Sequence, residues 1–236
     1  MASIPENILQ VQARIAAACE AYARVPASVN LMAVSKTCPG VSVRDAFHAG
    51  QRDFGENYVQ EALAKIAELD DLRERLRWHL IGPLQSNKTR DVAAAFDWVH
   101  SIDRAKLAER LSAQRPEGLP PLQVCLQVNI SGEDSKSGVA PEAALALAHE
   151  VAALPRLTLR GLMAIPEPAG DLAAQRVPHR ALRKLLEAMN AEGLGLDTLS
   201  IGMSADLEAA IAEGATCVRI GTAIFGARPA KSVPTS

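Results

Sequence analysis

Short apolar runs recur along the chain with longer amphipathic stretches between them. The runs are Leu31 to Val34, Arg52 to Gly55, Trp78 to Ile81, Trp98 to His100, Leu122 to Asn129, Leu159 to Met163, Thr198 to Ser200 and Cys217 to Gly221. Most are continuously apolar or nearly so, as parallel strands buried on both faces require, and the segments between them are long enough for crossover helices. An opening segment, Ile4 to Arg24, has helical spacing of its own. Eight such units with an extra N-terminal helix predict an α/β fold, a single (β/α)8 barrel of the TIM type. An open doubly wound sheet is the alternative, weakened by the lack of a GxGxxG after the first run. Pro116 to Pro121 and Ile165 to Gly170 read as loops and Ala227 to Ser236 as a frayed tail. The expected organisation is one barrel over residues 1–228 with a flexible tail over 229–236.

Composition narrows this reading without redirecting it. A chain of 236 residues suits one barrel and leaves no room for a second large domain. Hydrophobic content of 48%, charged content of 22% and a mean hydropathy of +0.04 describe an ordinary packed protein. With 25 basic and 27 acidic residues the net charge is −2, which offers no broad footprint for a nucleic acid. No basic and apolar leader opens the chain, and no apolar run approaches the ~20 residues of a membrane helix, so a cytoplasmic protein without a membrane partner is expected.

The four cysteines, Cys19, Cys38, Cys125 and Cys217, are scattered and read as reduced thiols. Cys125 and Cys217 fall in apolar runs as small buried hydrophobes, whereas Cys38 either lines the mouth beside Lys36 or sits in a plain loop. His48, His100, His149 and His179 form no metal set, and no metal is predicted. His79 reads as structural more than catalytic. Neither a GxSxG elbow nor a Walker A sequence is present.

Chemistry enters at the ends of the runs. Lys36 follows the first one, which in a barrel sets an amine at the C-terminal mouth, where active sites form. A lysine partly removed from water loses some preference for its charged form, and the neutral amine condenses with aldehydes. The commoner fate of a lysine ending a strand is plain solvation. After the seventh run, Ser200-Ile201-Gly202-Met203-Ser204-Ala205-Asp206 leads into a short helix with Ser204 as the expected N-cap and Gly214 beyond its end. Its free amides suit a phosphate, although capping alone explains the same residues. Arg219, Gly221 and Thr222 end the eighth run, so two adjacent loops offer anion-binding chemistry on the usual phosphate side of such barrels. Asn57 can hydrogen-bond a ligand oxygen, and Ser86 or Asn87 can cap the helix that follows them. Ser131 to Gly138 reads as an exposed loop in which Lys136 is a candidate second amine for aldehyde capture.

The ordered motifs Val34-Ser35-Lys36-Thr37, Phe54-Gly55-Glu56-Asn57, His79 to Lys88, Gly161-Leu162-Met163-Ala164, Ser200 to Asp206 and Arg219-Ile220-Gly221-Thr222 resemble the pyridoxal phosphate homeostasis proteins, also called proline synthetase co-transcribed homologues, over roughly residues 5 to 228. The resemblance implies a barrel like the N-terminal domain of alanine racemase, binding pyridoxal 5′-phosphate (PLP) as a reversible imine on Lys36. It further implies that Ser200, the Met203 and Ser204 amides, Gly221 and Thr222 surround the phosphate, that Arg219 faces the pyridine nitrogen, and that Asn57 lies on the side of the ring hydroxyl. The racemase's C-terminal β-domain and its tyrosine acid/base have no counterpart, since only Tyr22 and Tyr58 occur. A PLP carrier in vitamin B6 homeostasis, without strong catalysis, is therefore expected. It would act as a monomer, with PLP-dependent apoenzymes as recipients. A weak amino-acid racemase, or a lysine-imine aldolase with a sugar phosphate in the anion site, are the alternatives.

Overall fold

In a computed structural model, described over residues 2–132 and 137–226, eight parallel strands close into a barrel in chain order. They are β1 (Asn30–Val34), β2 (Asp53–Glu56), β3 (Arg77–Leu80), β4 (Trp98–Ile102), β5 (Leu122–Gln127), β6 (Leu157–Met163), β7 (Thr198–Ser200) and β8 (Cys217–Ile220). Every run read from the sequence as a strand overlaps one of them. Pairing of Asn30 with Cys217 through Ala33 with Ile220 joins β1 to β8, which excludes the open sheet and leaves no free edge. Among the described residues no helix is long and apolar enough to cross a membrane.

Nine helices surround the barrel among the described residues: α1 (Ile4–Ala21), α2 (Gly40–His48), α3 (Val59–Glu68), α4 (Thr89–Ala95), α5 (Ala105–Gln114), α6 (Pro141–Ala152), α7 (Leu172–Ala191), α8 (Leu207–Ala212) and α9 (Thr222–Phe225). The opening helix is stopped by a Ser3/Glu6 capping box at its start, and Tyr22 and left-handed Ala23 end it before Arg24. Its buried stripe, Ile8, Val11, Ile15, Ala18 and Cys19, has helical spacing and joins the main apolar core.

The strand period of two divides the interior from the helix layer. Leu31 and Ala33 belong to the core beneath the helices, while Met32 and Val34 form a separate cluster with Ile81 and Cys217 inside the barrel. Cys125 and Cys217 are both buried, as expected.

Two capping expectations are corrected. Ser204 is not the N-cap of α8; Asp206 holds that place, because its carboxylate takes the Met203 N–H at 2.7 Å and closes a turn before the helix begins. Ser86 and Asn87 cap nothing, since they form a 3-10 turn with Lys88, and Lys88 precedes α4 without a side-chain cap. Lys136 and the expected tail lie outside the described residues.

Candidate functional site

Just past β1 the chain turns sharply. The Ser35 N–H donates to Gly55 O and the Cys38 N–H donates back to Ser35 O, each at 3.0 Å. Lys36 and Thr37 are the middle residues of this turn, and Thr37 has a φ of 65°, a left-handed conformation that a β-branched residue adopts only under constraint. Its N–H is held by Glu61 Oε1 of α3 at 2.5 Å.

Beneath this turn lies a buried ion pair. Lys65 Nζ of α3 donates to Glu56 Oε1 at 2.6 Å, to Ser35 O at 2.8 Å and to Glu61 Oε1 at 3.2 Å, and Ser35 Oγ also donates to Glu56 Oε1 at 2.6 Å. Burial pushes the Glu56 carboxyl up against the pull of Lys65 and Ser35, and its second oxygen finds no partner among the described residues. Glu56 falls in a sequence motif without a role of its own, and no motif contains Lys65. The only signal for Lys65 was a Glu61 four residues earlier, the mark of an ordinary solvated pair.

The loops after β7 and β8 lie beside Lys36 at the mouth, because β8 is the neighbour of β1 in the closed barrel. A cavity of about 280 Å³ is lined by Lys36, Asn57, Met203, Ser204, Arg219, Gly221 and Thr222, with Val34, Ile81, Ile165 and Ala205 as its other walls. Seven of the eight expected site residues thus share one cavity. A smaller hollow beside it, about 170 Å³, again uses Lys36, Gly221 and Thr222 and adds Cys38, so the cysteine does line the same mouth.

Ser200 is the exception. Its fully buried hydroxyl sits below the cavity, 2.9 Å from His100 Nδ1 and 3.0 Å from an Arg219 NH1 that donates to it. Arg219 is also buried and donates further to the carbonyls of Ser200 and Ala164, so no salt bridge among the described residues anchors it. Burial lowers its pKa, yet an arginine stays charged in a protein and remains a donor only.

The arrangement fits an anionic aromatic aldehyde. Asn57 Oδ1 is buried at the cavity with no partner among the described residues. A Cβ on Gly221 would lie 3.3 Å from Val34 O, so glycine keeps the approach to the strand end open. The first amides of α9, which no helix satisfies internally, begin beside it. Met203 is less available, because Asp206 takes its N–H. Burial works against the Asp206 charge, but hydrogen bonds from His179 and Met203 hold its carboxyl below the usual range.

A larger cavity, about 380 Å³, opens at the opposite end of the barrel between Asp53, Arg77, His79, Trp98, His100 and Arg160. It has neither a lysine nor a helix start. Among the described residues no group of histidine, cysteine or acidic side chains could hold a metal ion.

A closed parallel barrel with a lysine after its first strand and anion-suited turns after its last two defines the class of the alanine racemase N-terminal domain, whose family model matches residues 9–229. Alanine racemase from Corynebacterium glutamicum shares the fold alone, with a TM-score of 0.68 at 18% identity over 98% of this chain and 62% of that one. PipY of Synechococcus elongatus PCC7942, in its structure with PLP bound, matches with a TM-score of 0.82 at 38% identity over 95% of this chain and 100% of its own. The pyridoxal phosphate homeostasis protein of Pseudomonas aeruginosa is 65% identical over 228 residues, 97% of each chain. The chain belongs to the pyridoxal phosphate homeostasis protein family.

Proposed function

We propose that this chain binds PLP in the Lys36 cavity and serves vitamin B6 homeostasis as a carrier without strong catalytic activity. The observation that carries this reading is the convergence of Lys36, Arg219 and the turns after β7 and β8 on one cavity. When bound, PLP supplies an aldehyde that condenses reversibly with an amine.

Lys36 is the attachment point, held at the mouth by its turn. Gly221 and Thr222 take the phosphate at the start of α9, Ser204 meets it from the turn before α8, and the Met203 amide joins them where Asp206 gives way. Arg219 faces the ring nitrogen and donates to it. A nitrogen that must accept stays unprotonated, which weakens the ring as an electron sink and disfavours carbanion chemistry. Asn57 Oδ1 receives the ring hydroxyl.

Among the described residues, no tyrosine is placed as a second partner for two-sided proton transfer. Neither tyrosine lines the Lys36 cavity: Tyr58 is 58% exposed at the start of α3, and Tyr22 packs under Arg176 beyond α1. Monomeric delivery to PLP-dependent apoenzymes suits such a carrier.

The purified protein is expected to be yellow, with borohydride reduction fixing a pyridoxyl group on the peptide that contains Lys36 and Lys36→Ala removing it. Colourless protein that takes up no PLP would refute the reading and leave the aldolase. Chirality assays with added PLP test the carrier role separately; turnover of roughly 1 to 1000 per second would make the protein a racemase.

A further inference from the structure

Below the Lys36 cavity the barrel interior holds a file of buried polar groups that runs from its lower end to its upper one. Asp53 Oδ1 lies 2.9 Å from His79 Nε2, His79 Nδ1 3.0 Å from His100 Nε2, His100 Nδ1 2.9 Å from Ser200 Oγ, and Ser200 Oγ 3.0 Å from Arg219. All five side chains are buried. They come from β2, β3, β4, β7 and β8.

With both imidazoles neutral, the ionised Asp53 at the lower end gives every hydrogen bond in the file one direction. An arginine cannot accept, so Ser200 Oγ accepts from Arg219. His79 accepts on Nδ1 from His100 Nε2, which leaves His100 Nδ1 to accept the Ser200 proton. His79 in turn donates from Nε2 to Asp53, whose carboxylate also accepts from Arg77 at 2.7 and 2.5 Å. Burial, with His79 and Arg219 nearby, holds His100 well below its ordinary pKa and so keeps it uncharged.

Resting on the PLP reading, we propose that His100, backed by His79 and Asp53, is a positioning residue for the cofactor pocket: it takes the Ser200 proton, fixes Ser200 Oγ as an acceptor, and so locks the Arg219 guanidinium at the cavity floor. His100 does not line the Lys36 cavity, so it acts through Ser200 and not by touching the ligand. Ser200 changes role as well. Its one proton is committed to His100, so it supports Arg219 in place of donating to the phosphate.

The test uses the full chain as wild type, His100→Phe, His100→Asn and Ser200→Ala, each freed of PLP and titrated with it. Affinity, the absorption spectrum of the bound form and borohydride trapping at Lys36 are read together, with the melting temperature of the PLP-free protein as a check on folding. His100→Phe keeps a ring but loses both polar ends, whereas the Asn side-chain oxygen replaces Nδ1 as acceptor. Loss of one buried hydrogen bond predicts about tenfold weaker PLP binding and a shifted absorption maximum for His100→Phe and Ser200→Ala. Lys36 is still trapped in both. His100→Asn is expected within about threefold of wild type, since it retains the bond to Ser200.

A folded His100→Phe with wild-type affinity and spectrum overturns the proposal, as does equal impairment of His100→Phe and His100→Asn, which would make the ring a packing element. If His100→Phe does not fold, an unchanged spectrum and affinity in Ser200→Ala overturns it instead. A wild type that traps no pyridoxyl group defeats the PLP reading itself, an outcome distinct from normal loading with unaltered variants.

Discussion

Lys65 and Glu56 show how much a side chain's role depends on what is packed over it. On an isolated helix Lys65 would pair with Glu61 in water, an interaction worth about 0.3 to 0.5 kcal/mol. In the barrel it is 4% exposed and bonded to Ser35 O, the first residue of the turn that carries Lys36. Truncating one member of a buried pair leaves the other charge desolvated. Lys65→Met is therefore expected to cost about 3 to 5 kcal/mol in urea unfolding, and the double variant Lys65→Met/Glu56→Gln less than that. Simple additivity of the two changes would contradict a coupled pair. Thr37 carries a related constraint, since its left-handed backbone is stabilised by Glu61 from a neighbouring element.

Among the elements, α1 does more than cover the barrel. Arg14 reaches Glu208 at 2.8 Å and Ser204 O at 3.2 Å, while Asn7 Nδ2 donates to Ile224 O at 2.8 Å, so one helix braces the segments after both β7 and β8 from behind. The Arg14 ion pair is half-exposed and contributes little alone; the backbone contacts set the positions. On the other side of the mouth, Gly82 lets the turn after β3 pass against the Asn57 backbone, where a Cβ would collide with the Asn57 carbonyl. Gly82→Ala must displace the segment that presents Asn57. Overpacking of this kind costs about 1 to 3 kcal/mol, and PLP affinity is expected to fall with it by about tenfold. An unchanged dissociation constant would show that Asn57 has no part in the site.

At the scale of the whole molecule, Asp53 ties the inner file to the barrel's lower rim through Arg77 and His79. Burial opposes its charge, but the hydrogen bonds from Arg77 and His79 outweigh burial and hold the carboxyl well below the usual range. A folded pKa below the unfolded one means that this stabilisation is fully present above the unfolded value of about 3.9 and fades as pH falls towards the folded value. Asp53→Asn is thus expected to lower stability at pH 7 by about 2 kcal/mol and to flatten the loss of stability on acidification below about pH 5. Urea midpoints measured across that range check both parts, and an acid slope identical to wild type would remove Asp53 from the account.

Strand order and the residues that line the cavity at the barrel mouth were legible because both are local facts of the chain. A run buried on both faces announces itself as a continuous apolar stretch, and the residue that follows it must stand at the barrel mouth, so Lys36, Arg219, Gly221 and Thr222 could be placed by counting alone. The cap of α8 was not legible because two polar residues, Ser204 and Asp206, compete for it, and only the fold of the preceding turn awards the position to Asp206. The Asp53, His79 and His100 file was hidden for a different reason. Each shares a short strand with another polar residue, and nothing local says that all three point inward. His100 and Ser200 stand 100 residues apart and meet only because closure of the barrel brings the inner faces of β4 and β7 within hydrogen-bonding reach. The chain by itself determined the barrel and the lysine at its mouth, since hydrophobic period and strand ends act over a few residues. Tertiary structure decided which polar groups lie under that lysine and how they are satisfied, because a buried hydrogen bond depends on distances that only the closed barrel sets.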